Sequence, residues 1–436
     1  MNSKLLKSLL VPGGALLFAA IIVLEAGLLS VSAPAVDFYY FAVFCAGVLL
    51  AWRFHSSRTF FTLLTLMLAH RALEFFSAGH PSYYGTGHIA LEVLAFVLPL
   101  NFVVFSYIRE RGFSVPAMAP YLSIIFLESV VVALLCRPGS KSSPMFFHAS
   151  FGDHSLFGWS SVPRVGLFSF VAAIGFLAYR FFHLRQPLES GFLWSLTAVF
   201  VSFQKGGVHA GASAYFATAG LILLSSIIEN SYILAYHDEL TSLPGRRAFN
   251  TALLRLEPPY TIAVVDIDHF KRFNDIYGHD TGDQVLRLVA SKLARVSGAG
   301  KAFRVGGEEF TILFAGAKMQ VALPHLEGLR AAVETSFFHV REVGERRNAS
   351  RGTDRRAKSR KSSKKAKPNT EPFALTGEGL SVTISIGVAE PAPQMDLVLQ
   401  VIENADKALY RAKQGGRNRV ETFQFTRGTR AKRKSA

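Results

Sequence analysis

The chain is poor in cysteine and in charge. Two cysteines, Cys45 and Cys136, stand in 436 residues, both inside apolar segments. They make no metal-binding spacing and no disulfide framework, which excludes a disulfide-built scaffold and a cysteine zinc site. Both read as free, buried thiols. Charged residues are only 18% of the chain against 50% hydrophobic, and the mean hydropathy is +0.28. Soluble domains seldom average so high, and the balance points to a membrane portion. Acidic residues are the scarcer sign, 31 against 47 basic, for a net charge of +16.

The apolar excess is uneven. Up to about Ile228 the chain is long apolar runs with short polar breaks; beyond it the pattern is that of a soluble α/β domain. Eight candidate spans are predicted: Leu9–Leu29, Phe38–Phe54, Phe60–Phe76, Ile89–Ile108, Tyr121–Cys136, Leu167–Phe182, Gly191–Phe203 and Ser213–Ile228. The seventh and eighth are short of the roughly 20 residues a helix needs to cross a bilayer, which leaves six or seven spans as alternatives. Lys4 and Lys7 precede the first run, which resembles a signal peptide but is long, lacks a small-residue cleavage site and reads as the first anchor.

Loop charges set an orientation. Lys4 and Lys7, Arg53 and Arg58, Arg109 and Arg111, and Arg180 and Arg185 all fall on one face of an eight-span arrangement. The intervening loops at Ala33–Asp37 and Ser77–His88 carry no Lys or Arg, the longer Arg137–Val165 loop has only Arg137, Lys141 and Arg164, and the last has Lys205. An inside N-terminus and an even count place the C-terminal half inside as well, making this a multi-pass protein of the inner (cytoplasmic) membrane. Glu25, His70, Arg71, Glu74, Glu92 and Glu128 lie within or at the ends of spans. They are expected to face the bundle interior, either paired, for example Arg71 with a Glu on a neighbouring helix, or lining a sensory pocket or ion path. Ser225–Tyr236 continues the last span as helix into the soluble half without a Gly/Pro linker.

Most of the positive charge sits in two stretches. Residues 346–367 hold eleven Lys/Arg against Asp354 alone, and the tail adds Arg427, Arg430, Lys432, Arg433 and Lys434. Such runs are solvated and disordered, or hold a domain against anionic lipid headgroups. No aromatic residues interleave them, so nucleic-acid binding is not expected.

The soluble half carries the chemistry. Tyr260–Val265 is a buried strand ending in Asp266-Ile267-Asp268, and strand alternation puts the two carboxylates on one side. Carboxylates at a strand end are suited to holding Mg²⁺ near phosphates. Lys271 follows, placed to meet a phosphate; Asn274 and Asp283 offer the donors and acceptors that read a guanine edge. Gln284–Val296 is predicted helical, with Val285, Leu286, Val289 and Leu293 on its apolar face. Phe303-Arg304-Val305 and Phe310–Phe314 flank Gly306-Gly307, predicting a hairpin with Glu308 and Glu309 at its tip. Each feature is weak alone; the ordered combination is specific.

In that order and spacing the chain resembles the GGDEF family of diguanylate cyclases, from about Tyr236 to Phe425. The matching segments are Asp238–Pro244, Asp266–Asp283, Arg304–Phe310, Val382–Ala389 and Ala405–Asn418. The apolar runs predict an N-terminal all-α polytopic membrane bundle, and the resemblance implies a C-terminal α/β ferredoxin-like palm, similar to that of nucleotidyl cyclases. The domain plan expected for the chain is a membrane sensor over 1–228, a helical linker over 229–237, the cyclase domain over 238–426 with a basic disordered insertion at 345–373, and a basic tail at 427–436. The resemblance implies synthesis of cyclic di-GMP from two GTP, with pyrophosphate released, across a homodimer interface. Asp266, the Ile267 carbonyl and Glu308 are implied as ligands of two Mg²⁺ per site, with Mn²⁺ as an alternative. Glu308 and Glu309 are the implied catalytic carboxylates. Asn274, His279, Asp283 and Gly307 are implied at the nucleotide, and Lys271, Lys413 and Arg417 at its phosphates.

Three departures stand out. The motif reads Gly-Gly-Glu-Glu-Phe, which keeps a carboxylate at each acid position. Gly245 replaces the family's usual Asn, which bears on the opening turn. Ser297 and Gly300 replace the charged pair of the family's inhibitory product site, so no product inhibition through that site is expected.

Overall fold

The computed structural model describes residues 8–26, 32–77, 85–137, 160–338, 375–376, 379–391 and 397–423. The basic insertion at 345–373, the tail at 427–436 and the N-terminal Lys4 and Lys7 lie outside them. The chain divides into two compact units between Ile233 and Leu234, within the segment read as a helical linker.

Among the described residues the first unit holds eight apolar helices: α1 (Leu10–Glu25, kinked at Val11), α2 (Ala33–Arg53), α3 (Ser57–Ser77), α4 (Thr86–Tyr107), α5 (Val115–Leu135), α6 (Arg164–Leu184), α7 (Pro187–Gln204) and α8 (Ala210–Tyr236). Each overlaps one predicted span. Six of them, α2 to α6 and α8, are long and apolar enough to cross a membrane. The expected lengths are corrected at both ends of the bundle. The first helix is the short one, whereas the eighth extends over 27 residues. It is that long because Ser225–Tyr236 holds no Gly or Pro to stop it.

Phe102, Phe105, Phe170, Phe192, Phe203 and Phe216 are fully buried in the core of this unit. At one end, the start of α3, the end of α4, the end of α6 and the start of α7 meet. The Arg58 guanidinium donates to the Phe105 carbonyl (3.1 Å) and to that of Ser106, and reaches Glu189 Oε1 at 2.9 Å. Arg180 holds both Glu189 oxygens, at 2.9 and 3.0 Å. Arg58 and Arg180 are therefore tied to one buried carboxylate rather than free in loops.

The ionisable residues within spans have partners. Arg71 pairs with Glu74 at 2.7 Å, three residues along its own helix, not with a neighbouring helix as expected. Residues i and i+3 already share a helix face, so the pair forms without a second element. Glu25 meets Lys205 (2.8 Å) and Tyr215 (3.0 Å), and Asn101 donates to Glu128 (2.7 Å). The last pair lines an otherwise mainly apolar crevice of about 710 Å³ between α3, α4 and α5.

The second unit is built on a mixed five-stranded sheet in the order β2-β3-β1-β7-β8. Its strands are β1 (Tyr260–Ile267), β2 (Lys301–Arg304), β3 (Glu309–Ala315), β7 (Ile384–Ala389) and β8 (Val420–Thr422). Only β8 is parallel to its neighbour; the other pairings are antiparallel. A small second sheet joins β4 (Phe337–Phe338), β6 (Gly379–Ser381) and β5 (Leu375–Thr376), in that order.

Both faces of β1 are buried, which explains its unbroken apolar run. Ala263, Val265 and Ile267 face one core, shared with α11 (His279–Leu293) and α12 (Met319–Glu334) through Val285, Val289, Leu293, Leu326 and Val333. Tyr260, Ile262 and Val264 face the other, shared with α9 (Arg246–Leu253) and α13 (Val398–Gln414) through Phe249, Val401, Ala405 and Leu409. α13 crosses β7 so closely that a Cβ on Gly387 would lie 2.1 Å from the Leu409 backbone nitrogen.

The helix expected at Gln284–Val296 begins and ends earlier, over His279–Leu293. Gly278, at φ +81°, both closes α10 (Phe270–Tyr277) and opens α11. That left-handed conformation is open to glycine at little cost, so the turn falls there.

Candidate active site

The C-terminal end of β1 and the β2–β3 hairpin converge. Asp266 is paired in register with Glu309 on β3, which sets Glu308, at the hairpin tip, beside the end of β1. The hairpin is closed by the amides of Val305 and Gly306 donating to the Glu309 carbonyl, at 3.1 and 3.2 Å. Its root is held by Arg304, which reaches the Gly307 carbonyl at 2.7 Å and Asp238 Oδ1 at 2.7 Å.

Asp266, Ile267 and Glu308 line one cavity of about 360 Å³, together with Lys271, Lys413 and Arg417. Asp268, read from sequence as the second strand-end carboxylate, also lines it, and His269, Arg272 and Asp275 are additions to the residues read from sequence. Lys413 Nζ lies 2.9 Å from Asp266 Oδ2. Asp268 is 3% exposed, and its carboxylate accepts from Thr383 Oγ1 (2.7 Å), Ser385 Oγ (2.6 Å) and the Asn418 amide (3.1 Å). Asp266 and Asp268, two positions apart in the motif, thus have different surroundings: one faces a cation, the other is engaged by three neutral donors.

The cavity brings acidic and basic side chains close together. Burial, then the neighbouring Asp268 and Glu309 carboxylates, hold Asp266 above its usual range despite Lys413. Burial, then Asp266 and Glu309, raise Glu308 in the same way. Burial, then the Arg417 guanidinium, lower the His269 imidazole. Carboxylates that repel one another beside a main-chain carbonyl form an oxygen donor set suited to a hard divalent cation. Among the described residues no three His, Cys, Asp or Glu side chains converge as a closed cage. Two carboxylates fit Mg²⁺, which keeps waters and substrate phosphates as its other ligands.

The remaining sequence-predicted residues lie elsewhere. Glu309 is exposed at the start of β3. It lines a second cavity of about 360 Å³, with Arg246, Asn250 and Asp406, that shares Asp266 and Lys413 with the first. Burial, then Glu309 and Glu403, raise Asp406. Asn274, His279, Asp283 and Gly307 line neither cavity. Asn274, on α10, has its Oδ1 buried without a partner. A Cβ on Gly282 would lie 1.9 Å from that oxygen, so glycine there makes the room it occupies. α10 and α11 thereby bring Asn274 beside the residue that precedes Asp283. A Cβ on Gly307 would meet no protein atom within 4 Å. Ser297 Oγ is hydrogen-bonded to His325 Nδ1 at 2.7 Å.

Asn418 is a residue that sequence reading placed in a motif without a role. Its amide reaches Asp268 across 150 positions, a relation that no local pattern encodes.

Comparison with known proteins bears on the second unit. The profile of the family "Diguanylate cyclase, GGDEF domain" matches residues 235–354 and 350–419. The diguanylate cyclase DgcP of Pseudomonas aeruginosa is 34% identical over 207 residues, which are 45% of this chain and 25% of that protein. The response regulator PleD of Caulobacter vibrioides is 33% identical over 205 residues, 45% of this chain and 38% of that protein. The chain thus spans about a quarter to two-fifths of the length of these relatives. A solved structure of the coiled coil and GGDEF domain of DgcB from Caulobacter crescentus, in complex with c-di-GMP, is 32% identical. It covers 47% of this chain and 94% of that one, with a TM-score of 0.36. By these sequence relationships, the C-terminal unit of this chain belongs to the GGDEF family of diguanylate cyclase domains.

Proposed function

We propose that the chain is a membrane-anchored diguanylate cyclase that joins two GTP into cyclic di-GMP and releases two pyrophosphates. The observation that carries this reading is the joint lining of one cavity by Asp266, Ile267 and Glu308 with Lys271, Lys413 and Arg417. Acidic oxygen donors and cationic side chains at one place suit a nucleotide triphosphate with its counter-ions. The domain is read as a ferredoxin-like palm.

In each half-reaction the 3′-oxygen of one GTP forms a bond to the α-phosphorus of the other, and the bond from that phosphorus to pyrophosphate breaks. Glu308 accepts the 3′-hydroxyl proton, with Glu309 as the adjacent second carboxylate. Lys271, Lys413 and Arg417 hold the phosphates, and Asn274 and Asp283, with His279 near, read the guanine. Gly307 leaves open space beside the nucleotide. Asp266, the Ile267 carbonyl and Glu308 would hold two Mg²⁺, or Mn²⁺, which when bound neutralise the phosphates and lower the pKa of the attacking hydroxyl. One GTP per protomer requires two sites face to face, so the working form is a homodimer, and correct mutual placement supplies much of the rate.

The first unit is read as a multi-pass sensor of the inner membrane with the catalytic unit on the cytoplasmic side. The clustering of Arg58 and Arg180 at one end of the helices supports that orientation, since Arg53 and Arg185 stand close to them in sequence and Arg109 and Arg111 follow Ser106, whose carbonyl Arg58 holds. The basic insertion and tail are read as contacts for anionic lipid. With Ser297 and Gly300 in place of a charged pair, product inhibition through that site is not expected.

The test is chemical. The purified chain in detergent, given GTP and Mg²⁺, is expected to yield cyclic di-GMP and pyrophosphate, and Asp266→Ala or Glu308→Ala neither. A folded, dimeric wild-type protein that yields no cyclic dinucleotide overturns the reading.

A further inference from the structure

We infer that Asn418 is a positioning residue, which with Asp268 as its anchor aims Arg417 at the terminal phosphates of the nucleotide. This rests on the reading of Arg417 as a phosphate ligand.

The segment that follows α13 is unusual. Gly416, Arg417 and Asn418 all have positive φ, at 113°, 63° and 44°. Two consecutive non-glycine residues in the left-handed region hold that conformation only where their surroundings enforce it. Part of that enforcement is the helix end, where the Arg417 amide donates to the Ala412 carbonyl at 2.9 Å. The rest converges on Asn418. Its backbone amide donates to Asp268 Oδ2 (3.1 Å), its side-chain Nδ2 donates to Glu334 Oε1 (2.7 Å), and its Oδ1 accepts from Arg330 Nη1 (2.7 Å). Arg330 is itself fixed by Glu327 and Glu334, each at 2.8 Å. Asn418 is therefore pinned on three sides, by the end of β1 and by two residues of α12.

Asp268 completes the argument. Its carboxylate is already engaged by Thr383, Ser385 and Asn418, so its visible work is to tie the turn after α13 to the loop after β1. Arg417 and Lys413 stand four residues apart and line the same cavity. Lys413 is held by the helix itself; Arg417, past the helix end, owes its direction to the turn. A guanidinium on an unanchored turn would lose affinity to conformational freedom before any contact was made.

The experiment measures binding, so it stands apart from whether product is made. The full chain in detergent with Mg²⁺ is titrated with GTP and with GMP, which lacks the terminal phosphates. Asn418→Ala and Asn418→Gly are both expected to weaken GTP about tenfold and leave GMP unchanged, the loss expected of about one charge-assisted contact. The glycine variant accepts the left-handed backbone without steric cost, so it isolates the side chain if the alanine variant folds poorly. Arg417→Ala is expected to weaken GTP similarly, and the double variant no further, because both act through one guanidinium. GTP affinity unchanged by either Asn418 variant, losses that add to that of Arg417→Ala, or an equal loss for GMP overturns the positioning role. GTP affinity unchanged by Arg417→Ala overturns the phosphate role and the positioning role together.

Discussion

Arg304 Nη1 lies 2.7 Å from Asp238 Oδ1 while its Nη2 holds the Gly307 carbonyl at 2.7 Å. One side chain therefore ties the first motif of the GGDEF unit to the hairpin that carries Glu308. Burial raises Asp238, but its bonds from Thr241 and Arg304 outweigh that and leave it below its usual 3.8. A depressed carboxylate contributes stability that is whole above about pH 3.8 and is lost as pH falls through the lower, folded value. Asp238→Asn is thus expected to melt below wild type at pH 6, with the gap closing as pH drops under 4. A gap that stays constant over that range, in thermal scans of the detergent-solubilised chain, contradicts the assignment.

Lys413 is the cation facing Asp266, and its side chain is 35% exposed. Lys413→Ala is expected to fold normally and to lose GTP affinity by about tenfold, the scale of one charge-assisted phosphate bond. Fluorescent-nucleotide titration beside a thermal scan separates the two. A lowered melting point with intact affinity would assign Lys413 to structure instead.

Gly387→Ala places a methyl 2.1 Å from the Leu409 nitrogen and 2.2 Å from the Ala405 carbonyl oxygen. Both are backbone atoms of a packed helix, so neither can swing aside. The substitution is expected to cost about 3 kcal/mol or more, at the upper end for overpacking. Chemical denaturation of the soluble unit, or loss of folded protein on expression, reads this directly.

Glu189 is fully buried between Arg58 and Arg180. Its removal leaves two guanidinium groups without their shared counter-charge, and unpairing a buried ion costs about 3–5 kcal/mol. Glu189→Ala is expected to lower the detergent-solubilised melting temperature of the first unit strongly. A variant as stable as wild type would mean that the carbonyls of Phe105 and Ser106 suffice.

Gly245 opens α9 at φ −87°, a conformation any residue adopts, and a Cβ there meets nothing closer than 3.7 Å. The sequence departure from the family's Asn is therefore without structural need. Gly245→Asn is expected to raise stability by about 0.5–1 kcal/mol, by restricting the unfolded chain and adding a helix cap. A fall in melting temperature would show that the position tolerates only glycine.

Much of this molecule is written in short stretches. Apolar runs placed the eight helices found among the described residues of the first unit, because a helix satisfies its own backbone and needs only local composition to form. The β1 strand, its Asp266-Ile267-Asp268 ending and the Gly306-Gly307 hairpin were likewise legible, since β-branched runs and paired glycines act over a few residues. Element ends were read less well. The start of α11 at His279 depends on Gly278 adopting a positive φ, and the length of α8 depends on an absence of stop signals.

What the residue order determines alone, then, is the kind of each element and the chemical groups available at its ends. Which groups meet was decided by the folded chain. Arg71 took Glu74 on its own helix, Arg58 and Arg180 shared Glu189, and Asp268 and Asp266, two positions apart, went to different partners. The reason is physical. Secondary structure follows from interactions within a few residues, whereas an ion pair or an anchored turn forms between positions as distant as 268 and 418, whose separation becomes a bond length only when the sheet and helices between them are packed.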